Sequence, residues 1–232
     1  MPDSNQLRDA GPFAQRHPRL YLAAYVGGGL VLIALMLWAF AALADEIPEQ
    51  GWMERLDHAV TGLLQSRGTE GGESFFVAVS LFGGPLLAVL VAVVSLVFAW
   101  QRDWLRAALV ALACVGGVGL NALLKQIFHR GRPEFAAEFI PHQSWSFPSG
   151  HAMNSLVCYG IMLFLLLEHT RDNVRRRLLI AATAMVVILI AWARVYLGVH
   201  YLSDVIAGWL AGGSWLIVCI GAYGFAERRV VR

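Results

Sequence analysis

The sequence predicts an all-α integral membrane protein, a polytopic bundle of six transmembrane helices with a short external interfacial helix. Apolar residues make up 58% of the 232 positions and charged residues 15%, whereas soluble domains average about 45–50% and about 25%. Uncharged stretches run for 25 residues (20–44) and for 28 residues (74–101). Because a helix needs about 20 apolar residues to cross a bilayer, these stretches exclude a soluble domain.

Six stretches fit transmembrane helices. In chain order, the predicted spans are 20–44, 74–100, 104–128, 148–167, 178–196 and 200–225. The first ends in Ala42-Leu43-Ala44, which resembles a signal-peptide cleavage site. Its apolar core exceeds the roughly 7–15 residues of a signal peptide, so we expect a retained helix. In the second span, Gly83-Gly84-Pro85 predicts a kink or a break.

Arginines are distributed unevenly among the connections, and their distribution orients the predicted helices. They occupy the N-terminal tail, the connections after the second and fourth spans, and the C-terminus. Positive residues favour the cytoplasmic side of a membrane. We therefore expect a cytoplasmic N-terminal tail (1–19), one membrane domain (20–226) and a cytoplasmic C-terminal tail (227–232).

The first external loop is acidic and contains a helical pattern. Its apolar residues recur at helical spacing: Trp52, Met53, Leu56, Val60, Leu63 and Leu64. This spacing predicts a short helix. The helix either lies in the outer membrane interface or packs on the bundle as a small cap.

Four cations break the orientation rule, namely Lys125, which is the only lysine, and Arg130, Arg132 and Arg194. One such cation is explained by snorkelling to the interface, but several at one depth indicate function. The third and fifth spans run outward, and the fourth and sixth run inward. The outer face therefore also receives Pro148-Ser149-Gly150-His151, His200 and Asp204.

Three cations, two histidines and one carboxylate indicate phosphate chemistry, because guanidinium groups bind phosphate oxygens in pairs and lysine acts as a point charge. The 148–151 segment has the features of a helix start, whose free N–H groups hold anions. His200 and Asp204 are spaced to share one helix face. The carboxylate can then hold one ring nitrogen of a nucleophilic histidine, and His151 is free to act as acid and base.

Each motif has a structural alternative when it is taken alone. A His-x-x-x-Asp pattern is common on helices, a Pro-Ser-Gly-His segment can be a helix cap, and Arg194 can pair with Asp204 as a structural bridge. The three cysteines lie inside apolar runs without metal-type spacing, and we expect them to be small buried hydrophobic residues. The prediction therefore depends on the joint pattern.

The joint pattern resembles the type 2 phosphatidic acid phosphatase superfamily of membrane lipid phosphatases. That family's Lys-x6-Arg-Pro motif appears as Lys125 to Arg132-Pro133, and its Pro-Ser-Gly-His motif as residues 148–151. Its Ser-Arg-x5-His-x3-Asp motif appears as Ala193-Arg194, His200 and Asp204. All spacings agree, and the departure is Ala193, where the family often has a serine whose hydroxyl would bind phosphate.

The resemblance implies a role for each matched residue. His200 would attack phosphorus to form a phosphohistidine, Asp204 would orient it, and His151 would protonate the leaving group and then activate water. The phosphate-binding set implied is Lys125, Arg132, Ser149, Gly150 and Arg194, with no metal ion and no cofactor. His129 and Arg130 are candidate headgroup contacts. Asn121 either steadies Lys125 or hydrogen-bonds a neighbouring helix.

The resemblance also implies the reaction and its place. The expected substrate is a lipid phosphate or diphosphate, and the bilayer is the other partner, with no role for nucleic acid. Undecaprenyl diphosphate and phosphatidyl lipids such as phosphatidylglycerophosphate or phosphatidate are the candidates, hydrolysed at the periplasmic or exterior face of a bacterial inner membrane. The alternatives are a lipid phosphotransferase of the same fold and a non-catalytic membrane transporter or lipid-binding protein.

Overall fold

The computed structural model describes residues 18–47, 51–134 and 144–230. Within these ranges the chain forms helices and no strands, which confirms the all-α prediction. The helices are α1 (Pro18–Asp45), α2 (Trp52–Ser66), α3 (Glu70–Leu81), α4 (Pro85–Trp100), α5 (Trp104–Phe128), α6 (Gly150–His169), α7 (Asn173–Tyr196) and α8 (Leu202–Val230). The predicted 1–19 tail falls mostly outside the described residues, and α8 continues through most of the predicted C-terminal tail.

Six candidate membrane spans are long and apolar enough to cross a bilayer in the described residues. Five are single helices, and the remaining one consists of α3 and α4 together. The chain breaks this span between them at Phe82–Gly84, and Pro85 opens α4, where its missing N–H has no helical partner to lose. The predicted break at Gly83-Gly84-Pro85 is therefore confirmed.

At two of the functional motifs, the helix begins two residues later than the sequence-based boundary. The helix α6 begins at Gly150, because Ser149 is in an extended conformation and acts as the N-cap. The helix α8 begins at Leu202 and not at His200. The residues that the motifs contribute therefore lie at helix entrances, where backbone N–H groups have no partners inside the helix.

The helix α2, which the sequence predicts in the first external loop, packs on the bundle. Its Val60 and Leu64 contact a buried cluster that includes Ala191 and Val195 of α7. Of the two alternatives that the sequence left open, the structure supports the cap. Trp52, at the first position of this helix, stays exposed.

Helices α6 and α8 approach closely because α8 presents glycines at the crossing. A Cβ atom on Gly208 would lie 2.8 Å from the carbonyl oxygen of Ser149, and one on Gly212 would lie 2.9 Å from that of Met153. Small residues allow membrane helices to pack backbone against backbone. This contact brings the start of α6 beside the start of α8.

Candidate active site

A tight turn between α7 and α8 places His200. Gly198 takes a positive φ of 62°, which glycine adopts without steric cost. The backbone N–H groups of Val199 and His200 both donate to the carbonyl oxygen of Arg194, at 3.2 Å each. The imidazole is thus fixed by a turn and not by a helix, which corrects the expectation that His200 and Asp204 share one helix face.

The predicted pairing of His200 with Asp204 is nevertheless present. Nδ1 of His200 lies 3.3 Å from Oδ2 of Asp204, and Nε2 lies 3.3 Å from Nη1 of Arg132. These contacts fit the tautomer that carries its proton on Nδ1, since Arg132 has only donors and must face the lone pair of Nε2. Burial lowers the pKa of His200 well below its ordinary value, and the charge of Arg132 lowers it further. The imidazole is therefore neutral near pH 7.

Two of the predicted phosphate-binding cations are aimed by backbone carbonyl groups. Arg132 donates from Nη1 to the oxygen of Val199 at 2.7 Å and from Nε to that of Ser144 at 2.9 Å. Lys125 donates from Nζ to the oxygen of Trp145 at 2.7 Å. Neither cation is neutralised by a carboxylate in these contacts, so their charge is available to an anion.

Arg194, the third predicted cation, is buried at the end of α7 and donates from Nη1 to the hydroxyl of Ser80 on α3. The Nε atom of Arg194 and the hydroxyl of Ser149 are both buried without a hydrogen-bond partner among the described residues. Buried polar groups are normally paired. The charge of Arg194 acts on His200, and Ser149 bonds Asp204 through its backbone N–H. Two unpaired donors on residues of this cluster therefore fit an anion.

The start of α6 is tied to both of its neighbours. The N–H of Ser149 donates to the carbonyl oxygen of Asp204 at 2.9 Å, and the amide of Asn121 donates to that of Pro148 at 3.1 Å. Asn121 thus bonds the neighbouring chain segment, which is the second of its two predicted roles. A Cβ atom on Gly150 would lie 2.9 Å from Oδ1 of Asn121, so only glycine fits there without displacing that amide.

His151 lies against the break between α3 and α4. A Cβ atom on Gly84 would be 3.1 Å from Nε2 of His151. The charges of Arg194 and His200 both act on this imidazole. The structure therefore brings together His151, His200 and the cations, which the sequence spreads over three motifs.

A cavity of about 800 Å³ runs from His151 along the space between α4, α5 and α6. Gly84 and Gly150 line the cavity together with His151, and apolar residues such as Leu87 and Val115 line most of the rest. The cavity extends as far as Ser95 of α4. Ser95 is about 16 Å from Gly84 along the helix axis, at 1.5 Å per residue. Its shape and lining suit a hydrocarbon chain whose polar end lies at His151.

Arg130 does not have the position that a headgroup contact requires. It is 9% exposed, and its guanidinium group binds Asp204 at 2.7 Å and Asp57 at 2.8 Å. The structural bridge to Asp204 that the sequence suggested for Arg194 is thus made by Arg130, and among the described residues Arg194 forms no ion pair with a carboxylate. Asp57 is a site residue that the motifs do not include, although its position between Met53 and Val60, on the apolar face of α2, was a usable signal.

The other polar residues of interest have structural surroundings. The rings of His129 and Trp145 pack edge to face at 4.7 Å. The free cysteines are buried, as expected, with Cys114 and Cys158 packed around Leu87. In the part of the chain that the structure describes, no group of three histidine, cysteine or acidic side chains is arranged to hold a metal ion.

The fold and the site define a polytopic membrane protein in which two histidines and three cations lie together at one end of the helix bundle. A family model described as the PAP2 superfamily matches residues 104–228. The chain belongs to this superfamily, which confirms the resemblance seen in the sequence, and it is an integral membrane lipid phosphatase.

Relatives and solved structures agree with this membership. The curated phosphatidylglycerophosphatase B of Bacillus subtilis (strain 168) is 31% identical over 144 residues, covering 62% of this chain and 68% of that protein. The crystal structure of a transmembrane PAP2 type phosphatidylglycerolphosphate phosphatase from Bacillus subtilis has a TM-score of 0.75 at 25% identity, covering 84% of this chain and 96% of that one. The crystal structure of Aquifex aeolicus LpxE shares the fold, with a TM-score of 0.54 at 22% identity over 72% of this chain and 95% of that one.

Proposed function

We propose that the protein hydrolyses a lipid phosphate or diphosphate at the outer face of a bacterial inner membrane, through a phosphohistidine on His200. The observation that carries this proposal is the arrangement of one imidazole. Its Nδ1 faces a buried carboxylate at 3.3 Å and its Nε2 faces a cation at 3.3 Å. A neutral ring held this way presents its nucleophilic lone pair where an anion binds.

In the first step, Nε2 of His200 forms a bond to phosphorus while the bond from phosphorus to the lipid oxygen breaks. His151 gives its proton to that oxygen, so the lipid leaves as an alcohol, or as a phosphate if the substrate is a diphosphate. Asp204 stabilises the positive charge that develops on the His200 ring.

In the second step, the now neutral His151 takes a proton from a water molecule, whose oxygen attacks phosphorus. The phosphorus–nitrogen bond breaks, inorganic phosphate leaves, and both histidines return to their starting state. Lys125, Arg132 and Arg194 supply positive charge around the phosphoryl oxygens in both steps, and Ser149 and the backbone of Gly150 complete the binding set. The proposed mechanism therefore uses no metal and no cofactor.

The cavity beside His151 supports a lipid substrate whose chain remains at membrane depth. We propose a phosphatidyl lipid such as phosphatidylglycerophosphate or phosphatidate, or undecaprenyl diphosphate. The name of the curated relative favours phosphatidylglycerophosphate.

A substrate panel tests the proposal. Full-length protein purified in detergent is given each candidate lipid, with and without a chelator, and inorganic phosphate is measured. Release of phosphate from at least one lipid, unchanged by the chelator, is expected. Appearance of a new phosphorylated acceptor without free phosphate would show transfer, and no turnover of any lipid would favour the transporter or lipid-binding alternative.

The phosphate-binding set leads to a second prediction. Arg194→Ala and Lys125→Ala are each expected to lower kcat/KM by about 10²–10³-fold, since removing one donor to a developing anion costs about 3–4 kcal/mol. Arg175→Ala is the matched control, because Arg175 is exposed at the other end of α7, with 80% of its side chain accessible. Near-normal turnover by Arg194→Ala or Lys125→Ala, in protein that elutes as a single peak, would remove that residue from the phosphate-binding set.

The orientation leads to a third prediction, made with two single-cysteine labels in intact cells. Arg67→Cys, between α2 and α3, should react with an impermeant thiol reagent, whereas Arg175→Cys should react only after the membrane is opened. The native cysteines Cys114, Cys158 and Cys219 are buried, so the background should be low. The opposite labelling pattern would place the site on the cytoplasmic face.

A further inference from the structure

Asp57 and Arg130 form a buried ion pair that connects the external helix α2 to the active site. Asp57 is 0% exposed. Arg130 donates from Nη2 to Oδ2 of Asp57 at 2.8 Å and from Nη1 to Oδ1 of Asp204 at 2.7 Å. Since Oδ2 of Asp204 faces Nδ1 of His200, the four side chains form one continuous series of contacts from α2 to the nucleophile.

Further contacts hold this series in place. The backbone N–H of Ser203 donates to Oδ1 of Asp57 at 3.0 Å, and its hydroxyl donates to Oδ2 of the same carboxylate. That hydroxyl also accepts from Nη1 of Arg130 at 2.7 Å, and the ring of Tyr201 lies 4.2 Å from the guanidinium carbon. Burial opposes the charge of Arg130, but Asp204 and Asp57 outweigh it and raise its pKa. The guanidinium group is therefore always charged and cannot rotate.

A buried ion pair of this kind needs a reason, because desolvating the charges offsets most of their attraction and apolar residues would stabilise the fold as well. The reason is visible at Asp204, whose Oδ1 accepts from Arg130, while its Oδ2 faces His200 and accepts from the backbone N–H of Tyr201 at 3.0 Å. A carboxylate bound on one side only could turn away from the imidazole.

We propose that Asp57 and Arg130 are positioning residues for catalysis: they hold the Asp204 carboxylate in the orientation that His200 needs, which makes α2 part of the active site's support. This inference rests on the proposed role of His200. It assigns a function to an arginine inside the variable stretch of the first motif and to a residue outside all three motifs.

The two residues carry opposite charges, so their removal should shift the proton affinity of His200 in opposite directions. Losing the cation Arg130 leaves more negative charge near the ring, which favours imidazolium and raises the pKa of His200. Losing the anion Asp57 has the opposite sign. Because only neutral His200 can attack phosphorus, the acid limb of the kcat/KM profile should move to higher pH in Arg130→Gln and to lower pH in Asp57→Asn.

The other charged groups facing His200 stay constant in these variants. They are Asp204 of α8, Arg132 of the connection after α5, Arg194 of α7, Lys125 of α5 and His151 of α6. A change in the acid limb between variants therefore reports on Asp57 and Arg130, whereas a loss of folding lowers the amount of active enzyme without moving the limb in opposite directions.

The experiment measures pH profiles of phosphate release in detergent for Asp57→Asn, Arg130→Gln, Arg130→Lys and the double variant Asp57→Asn/Arg130→Gln. Asp57→Asn and Arg130→Gln are each expected to lower kcat by about 10–100-fold, with KM within about twofold. Losses of this size are seen when a residue that orients a metal ligand is removed. The double variant removes one charge of each sign, so its acid limb should return towards the wild-type position. Glu54→Gln makes the same charge change on α2 without touching Arg130 and should behave as wild type.

Arg130→Lys keeps the charge but cannot bridge two carboxylates with the same fork, so it should lose kcat while its acid limb stays in place. If Arg130→Gln does not fold, Asp57→Asn and Arg130→Lys still decide the matter. Unchanged kcat in folded Asp57→Asn, or limbs that move in the same direction in both neutral variants, overturns the inference. Retained phosphate release in His200→Ala would instead overturn the proposed function.

Discussion

His200→Ala is expected to lower lipid phosphate release by about 10⁴-fold or more, since removing the nucleophile of a covalent mechanism leaves only the contribution of binding and charge stabilisation. The ring is fixed by the Gly198 turn and by its contact with Asp204. His151 enters from a different helix and is placed to serve the leaving group.

The measurement pairs steady-state phosphate release with trapping of the intermediate. Wild-type protein quenched during turnover of a ³²P-labelled lipid should carry label that is lost in acid and kept in base, as expected for a phosphorus–nitrogen bond. His200→Ala should carry none. His169→Ala, a histidine at the far end of α6 whose ring contacts the carbonyl of Leu165, should keep both activity and label. Label retained in His200→Ala would assign the nucleophile elsewhere.

Much of the site could be predicted because its parts are tied to helix ends. The number of spans alone predicts that Lys125, His151, Arg194 and His200 lie at the same end of the bundle. The structure brings them together there. Only the number and direction of the spans enter this argument, so errors of a few residues in helix boundaries did not affect it.

The parts that could not be predicted depend on contacts between distant segments. Asp57 and Arg130 are separated by 73 positions, and the pattern of α2 predicted an apolar face without showing which segment of the chain that face would contact. Ser80 likewise meets Arg194 across 114 positions. The position of His200 before α8 was also not predictable from spacing, because His200 and Asp204 are four positions apart whether a turn or a continuous helix joins them.

The absence of the family's serine before Arg194 has a structural counterpart here. Ala193 is fully buried, and the hydroxyl that contacts Arg194 comes from Ser80 on α3, the first half of the broken span. The break between α3 and α4 therefore has two effects on the site, since it also brings Gly84 against His151. A hydrophobicity pattern shows that such a span is interrupted but not what its two halves contact.

His151→Ala is expected to show an effect that depends on the leaving group. With a lipid alkoxide, the loss of the proton donor should lower the rate by about 10²–10⁴-fold, the usual contribution of general acid catalysis. With p-nitrophenyl phosphate the first step should be almost unaffected, because p-nitrophenolate leaves without a proton. The second step still lacks its base, so the phosphohistidine should accumulate.

Rapid-mixing experiments separate the two steps. His151→Ala mixed with p-nitrophenyl phosphate should release one equivalent of p-nitrophenolate per site in a burst, followed by slow turnover, and labelled phosphate should remain on the protein. The same variant mixed with a lipid phosphate should show no burst. His169→Ala, on the same helix, should match the wild type with both substrates. Equal losses for both leaving groups, without a burst, would mean that His151 does not protonate the leaving oxygen, and the proton would then have to come from another group at the site.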